Sequence, residues 1–405
     1  MIIRARPKFL NETILGELFT GCTNNAHNFN DKVDDNRYYF NYGRTALQFI
    51  LACYSKYLER QITIGIQDFN CSVVLDAILN SNNKAYLMDI NRSFFSIDIE
   101  NAREVIACLD VLILTHYQGI PNPHYHEFAE LCLENDVLLI EDSSQTVGST
   151  IRGAPVGSLA PVSLESFSFD KPFTCFEGGA LKINDNLDKA FRSYLSGEYN
   201  LLNEESLAKV NSDFKSLTWL FYNTTPQKYF YNFSLFNIHI LFYLGLPIFA
   251  INCIIKGPGL SNYVGKILQP FYNRFLGHPK QKQIKKLGSK KIKLIKLQQQ
   301  LWQDFPVRSQ KLDKLSADFG LNPIKSNSEM QVCWNRYSIL DKPDGRFKSF
   351  CLSRDIECGN YNWPITLHEQ YKSCPLIIYN RNGYKESIHC SRHVLNLPFW
   401  LDLDL

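Results

Sequence analysis

The stretch 167–180, FSFDKPFTCFEGGA, sets one lysine, Lys171, in an apolar and glycine-rich run just past a β-rich segment. A lysine that forms a Schiff base needs a partly desolvated place, where its amine can lose a proton near neutral pH. Ser168, three residues earlier, offers a hydroxyl to a phosphate oxygen, and Gly178-Gly179 lets the backbone pass close to a bound group. Taken alone, such a pattern is more often a loop lysine in water. A second group is IEDSSQ, 140–145, in which Asp142 closes an apolar run. Open α/β sheets bind ligands beyond the carboxyl ends of their strands, so a carboxylate there can pair with a protonated ring nitrogen. Gln145 can then donate to a phenolic oxygen of the same ring, and the bland alternative is that Asp142 caps the next segment. A third group, NYGRTAL (41–47), is a glycine turn entering a helix. The free N–H groups and macrodipole of a helix start bind phosphate, with Gly43 at the turn and Arg44 and Thr45 as extra donors; plain capping is the alternative.

The three groups narrow one another. A phosphate cradle, then a carboxylate at a strand end, then Ser-x-x-Lys one strand later is the order of a fold-type-I enzyme using pyridoxal 5'-phosphate (PLP). Lys171 is then the catalytic residue.

The elements that must position these residues are legible as well. ITIGIQDF (62–69), KAYLMDI (84–90), DVLILTHY (110–117), VLLIED (137–142), VSLESFSF (162–169) and ALKIN (180–184) read as strands, several of them apolar throughout as in a sheet covered on both faces. TALQFILACYSKYL and HEFAELCLEND have helical spacing and return the chain for parallel pairing. The expected fold is α/β: a large domain with a mostly parallel central sheet over 1–205, an apolar and basic insert with helices over 206–300, and a smaller α+β domain over 301–405. A chain of 405 residues with 45% hydrophobic content can fill both cores. Its net charge of +3 argues against nucleic acid as a partner. The twelve cysteines lack C-x-x-C spacing, so no metal is expected, and free thiols in a reducing cytoplasm follow.

With these motifs in hand, the chain resembles the DegT/StrS-type (DegT/DnrJ/EryC1/StrS) aminotransferases acting on nucleotide-linked keto-sugars. GRTAL is similar to that family's phosphate-binding helix start, IEDSSQTVGS to its IEDAAQ-type segment, THYQGIP to its HxxGxP stretch, and VGSLAPVSLESFSF to its approach to the lysine. RDIECGNYNWP and LNLPFW are similar to small-domain segments bordering the substrate. The resemblance implies Lys171 as covalent anchor and proton shuttle, Asp142 on the pyridine nitrogen and Gln145 on the ring oxygen, with Ser168, Arg44 and Thr45 at the phosphate. It implies transamination, because members that dehydrate sugars carry histidine in place of the lysine. The expected reaction transfers an amine, with glutamate as donor, to a nucleotide-linked keto-sugar, in a homodimer serving polysaccharide or secondary-metabolite synthesis. Three features depart from the pattern: a serine-to-lysine interval of three rather than five, Cys71 where many members stack an aromatic on the ring, and no Asn-Tyr-Arg loop around 276–300 to reach a second subunit. Phe69 or His116 is an alternative stacking residue.

Two other readings stay open: a catalytically lapsed PLP fold serving as a scaffold, and a PLP-dependent sugar dehydratase. LFNIHILFYLGLPIFAINCII, inside the uncharged run 229–255, reads either as packed helices or as an interfacial element. In the second case Lys280, Lys282, Lys285, Lys286, Lys290 and Lys291 meet anionic head groups, giving peripheral membrane contact through 229–296 at the inner face.

Overall fold

The computed structural model describes residues 36–168, 170–224, 283–300, 314, 316–321, 329–342, 344–353, 358–360 and 363–397. The segments read as strands are strands. After β1 (Arg37–Phe40) and the helix α1 (Gly43–Tyr57) come β2 (Thr63–Gln67), α2 (Ser72–Asn80), β3 (Lys84–Met88), β4 (Val111–Thr115), α3 (Tyr125–Glu134), β5 (Leu138–Asp142), β6 (Val162–Ser166) and β7 (Gly179–Ile183). With a late strand, β9 (Ile377–Ile378), they form one eight-stranded sheet ordered β1-β7-β6-β5-β4-β2-β3-β9. Only β7 runs against its neighbours, pairing antiparallel with β1 and β6; the remaining pairings are parallel.

Strand alternation sorts side chains onto two covered faces. Val111, Ile113, Leu138 and Ile140 join Leu47, Ile50 and Leu75 of α1 and α2 in one apolar cluster. Leu112, Leu114 and Leu139 join Phe128 and Leu131 of α3 in another. Every residue of β4 and β5 is buried, which is why these runs read as continuously apolar. Thr115, Glu141 and Asp142 are the exceptions, and Asp142 sets a carboxylate at the carboxyl end of a central strand.

The last hundred residues contribute β8 (Tyr337–Leu340), paired antiparallel with β10 (Val394–Leu397). Their cluster holds Trp334, Tyr337, Trp363 and Leu397 together with Phe69 and Tyr117, which follow β2 and β4. Phe69 and Tyr117 both meet the Trp363 ring, at centroid distances of 5.1 and 4.9 Å. The turn Tyr117–Ile120 makes this close approach. Gln118 has φ +51° and Gly119 φ +104°, and a Cβ on Gly119 would lie 2.3 Å from the Cys333 carbonyl oxygen. Glycine is required there on both counts.

Chain packing separates two compact units, one of Met1–Leu217 with Ile284–Leu405 and one of Thr218–Gln283. The apolar run 229–255 lies outside the described residues, as do Lys280 and Lys282. No helix among the described residues is long and apolar enough to cross a membrane.

Candidate active site

The loop from Ser168 to Gly178 links β6 to β7 and carries Lys171, which is 9% exposed. Its backbone N–H donates to the Ser168 carbonyl at 3.0 Å. The serine hydroxyl donates to Asp170 Oδ1 at 2.7 Å, and the other oxygen of Asp170 faces Arg336 Nη2 at 3.4 Å. Burial alone would raise the Asp170 carboxyl, but Lys171, Arg336 and the Ser168 hydroxyl outweigh it and hold it down at about 2. A carboxyl depressed by folding contributes stability that is complete above its unfolded value of about 4. That contribution is lost as pH falls through about 2. The urea midpoint is therefore expected to drop across this acid window, and Asp170→Asn to flatten the drop. A variant profile parallel to the parent's would contradict the assignment.

Asp142, 5% exposed, accepts the Ser144 N–H at Oδ1 at 3.1 Å. Gln145 Oε1 accepts the Gln118 N–H at 3.1 Å, so its amide nitrogen is the end left to donate. Cys71 caps the start of α2; burial pushes its thiol up, and the charges it senses are those of Lys171, Asp170 and Asp142. The structure thus brings Lys171, Ser168, Asp142, Gln145 and Cys71 together at the carboxyl ends of β2, β4, β5 and β6.

The residues expected at a phosphate stand in different settings. Gly43 opens α1 beside Ser166: a Cβ on it would lie 3.4 Å from that side chain. Arg44 is half-buried with its guanidinium 5.6 Å from the Tyr42 ring centroid. Thr45 is fully buried, and its hydroxyl bonds Asn41 Oδ1 at 2.8 Å and accepts the Tyr42 N–H at 3.2 Å. It caps the helix, as the third residue of a capping box does. Gly179 is needed for a different neighbour than a ligand, since a Cβ there would fall 2.4 Å from Gly43 Cα. The glycine pair lets the lysine loop and the helix start pack together.

Both aromatic alternatives to Cys71 are engaged elsewhere. Phe69 is buried between Tyr117 and Trp363. His116 accepts the Asn122 N–H at Nδ1 (3.0 Å), so its Nε2 donates to Glu141 Oε1 at 3.0 Å; both side chains are shut from solvent. His116 is a core residue that braces the strand end before Asp142.

Lys291 needs the largest correction. Instead of facing head groups it is completely buried, on the helix α4 (Ser289–Gln300). Its amine pairs with Glu205 at 3.1 Å and Asp213 at 2.6 Å and donates to the Glu177 carbonyl at 3.2 Å. The Glu177 carboxylate accepts from Tyr42 and Lys209, each at 2.6 Å. A buried ion network therefore supports both the residue before Gly178 and the residue before Gly43. Nothing in the lysine-rich run distinguished Lys291, and Arg336 sat in no motif. Asp170 was in view only as the neighbour of the lysine.

A mostly parallel sheet with a lysine loop, a strand-end carboxylate and a helix start at the carboxyl ends of its strands has the architecture of the fold-type-I PLP-dependent transferases. Residues 43–197 match the model of the DegT/DnrJ/EryC1/StrS aminotransferase family. A DegT/DnrJ/EryC1/StrS aminotransferase from Brucella abortus shares the fold, with a TM-score of 0.58 at 14% identity over 90% of this chain and 80% of that one. The Escherichia coli GDP-4-keto-6-deoxy-D-mannose-3-dehydratase, solved with hydrated PLP, aligns at TM-score 0.58 and 15% identity over 90% of this chain and 84% of that one. By sequence, UDP-4-amino-4,6-dideoxy-N-acetyl-β-L-altrosamine transaminase of Campylobacter jejuni is 42% identical over 59 residues, 15% of this chain and 16% of that enzyme. The first two curated relatives are matched over only 16% and 18% of their own length.

Proposed function

We propose that this protein is a PLP-dependent aminotransferase that converts a nucleotide-linked keto-sugar to an amino sugar with glutamate as amino donor. The observation that carries it is a buried lysine set with a strand-end carboxylate and a donor amide, on a family segment that contains all three. The residues present suit the cofactor. Asp142 would hold the ring nitrogen, the Gln145 amide nitrogen the ring oxygen, and Gly43, Arg44 and Ser168 the phosphate, while Thr45 shapes the helix start. Cys71 takes the position beside the ring. When bound, PLP supplies an electron sink for negative charge at the substrate's reacting carbon. Lys171 Nζ then moves the proton at that carbon, and nine-tenths burial keeps water from competing for it. A lysine at this place favours amine transfer over dehydration.

A second copy of the chain, cytoplasmic residence and contact with a membrane surface through 229–296 are part of the proposal, the last of them on the apolar and basic composition of that stretch. Purified protein incubated with PLP is expected to gain visible absorbance, and glutamate to bleach it. Protein that takes up PLP but is not bleached by glutamate or other amino acids would point to the dehydratase reading. Protein that stays colourless would leave the scaffold reading.

A further inference from the structure

We infer that His389 and His393 chelate one divalent cation of the imidazole-preferring, zinc-like class. The site lies outside the aminotransferase reading and does not depend on it. Both histidines are on the helix α5 (Lys385–His393), four residues apart, and so occupy one face on successive turns. Their rings lie side by side, with centroids 4.6 Å apart and planes inclined by 36°. Both are half-buried, and among the described residues no hydrogen bond engages a nitrogen of either ring. Two imidazoles so placed can each turn one nitrogen to the same ion, as helical histidine pairs do toward zinc. Cysteine spacing carried no sign of this, because both ligands are histidines.

The backbone that carries the pair is fixed at both ends. At the start of α5 the Asp89 carboxylate accepts the Glu386 N–H at 3.0 Å, the Ser387 N–H at 2.7 Å and the Ser387 hydroxyl at 2.6 Å. At its finish the His393 carbonyl accepts the Asp341 N–H at 3.0 Å, and the chain passes into β10. Ligands on so constrained an element lose little freedom when they take an ion. The charges suit a dication too. Open carbonyls give the last turn of a helix partial negative charge, which favours a cation there. Arg92 pairs with Glu386 at 3.0 Å and Arg392 faces Glu369 at 3.8 Å, so each of these guanidinium groups has a carboxylate partner. Burial, His393 and Arg92 hold His389 below its ordinary value, which keeps it in the neutral form that ligates a metal. No group of three or more metal-ligating side chains occurs among the described residues, so the pair supplies two ligands and water the rest. That is an open, exchangeable site, and its nitrogen ligands select Zn²⁺, Ni²⁺ or Cu²⁺ over Mg²⁺.

Calorimetric titration of tag-free, full-length protein with Zn²⁺ reads the site with or without PLP. The parent is expected to bind Zn²⁺ but not Mg²⁺, and Zn²⁺ at about a hundred times its Kd to raise the melting temperature by about 2–4 °C. His389→Gln and His393→Gln are each expected to weaken Zn²⁺ about 100-fold, with little further loss in the double variant, because a chelate is lost with its first ligand. Lys171→Ala is expected to bind Zn²⁺ as the parent does. Arg92→Gln removes a cation from beside His389, leaves both ligands in place and is expected to tighten Zn²⁺ about threefold. A parent that binds no Zn²⁺, or parental affinity in either histidine variant, overturns the inference. Should a histidine variant prove unfolded by circular dichroism, unchanged or weaker binding in Arg92→Gln overturns it instead. None of these readouts uses PLP, so loss of this site leaves the aminotransferase reading standing, and protein that takes up no PLP can still show the site.

Discussion

Lys171→Ala is expected to abolish both the visible absorbance acquired with PLP and amine transfer from glutamate, with the rate falling by about 10²–10⁴-fold or more. The size follows from position. Lys171 is the lysine of the β6–β7 loop, nine-tenths buried beside Asp170 and within the electrostatic reach of Cys71. Alanine removes the amine that anchors the cofactor and the group that moves the proton at the reacting carbon, and no other lysine lies between Ser168 and Gly178. Folding should survive with some loss of stability, because Asp170 loses the Lys171 charge but keeps Arg336 and the Ser168 hydroxyl, and a variant that is folded by circular dichroism yet takes up no visible absorbance would separate chemistry from stability. Retained absorbance in Lys171→Ala would place the anchor elsewhere.

Lys291→Met is expected to give the largest loss of stability. Removing one partner of a buried pair leaves uncompensated charge, at a cost of about 3–5 kcal/mol. Here two carboxylates, Glu205 and Asp213, lose the same cation in a place closed to water. The melting temperature should fall by about 4–6 °C for a chain of this size. Adding Asp213→Asn or Glu205→Gln to Lys291→Met is expected to restore part of the loss, since each removes a stranded charge. Because the network also holds Glu177 and Tyr42, PLP affinity should weaken along with stability. A melting temperature unchanged in Lys291→Met would show the network to be dispensable.

These two lysines mark what a linear reading can and cannot reach. Lys171 was legible because its meaning is local: a strand before it, a serine at fixed spacing and glycines after it. The sheet was legible for the same reason, since strands covered on both faces write themselves as unbroken apolar runs. Lys291 was not, because its run of lysines looks solvated and its partners lie about 80 residues away in sequence, at Glu205 and Asp213. Thr45 reads as a phosphate donor because a hydroxyl at the third position of a helix serves a cap and a ligand equally well on paper, and in the structure that hydroxyl is bonded at the cap. Phe69 and His116 looked like ring-stacking candidates until the aromatic cluster around Trp363 and the Glu141 pair accounted for them.

By itself, then, the order of side chains along the strands determined the class of fold and singled out Lys171 and Asp142 as the candidates for anchor and ring carboxylate. These rest on periodicity and on short spacings, which the backbone carries unchanged into the folded state. Only the tertiary structure decided which charges are buried together, which hydroxyls are already bonded, and that Arg336 faces Asp170 of the lysine loop. Those properties depend on segments far apart in the chain meeting in a medium of low dielectric, where an unpaired charge or donor is costly and its partner has to be brought from elsewhere.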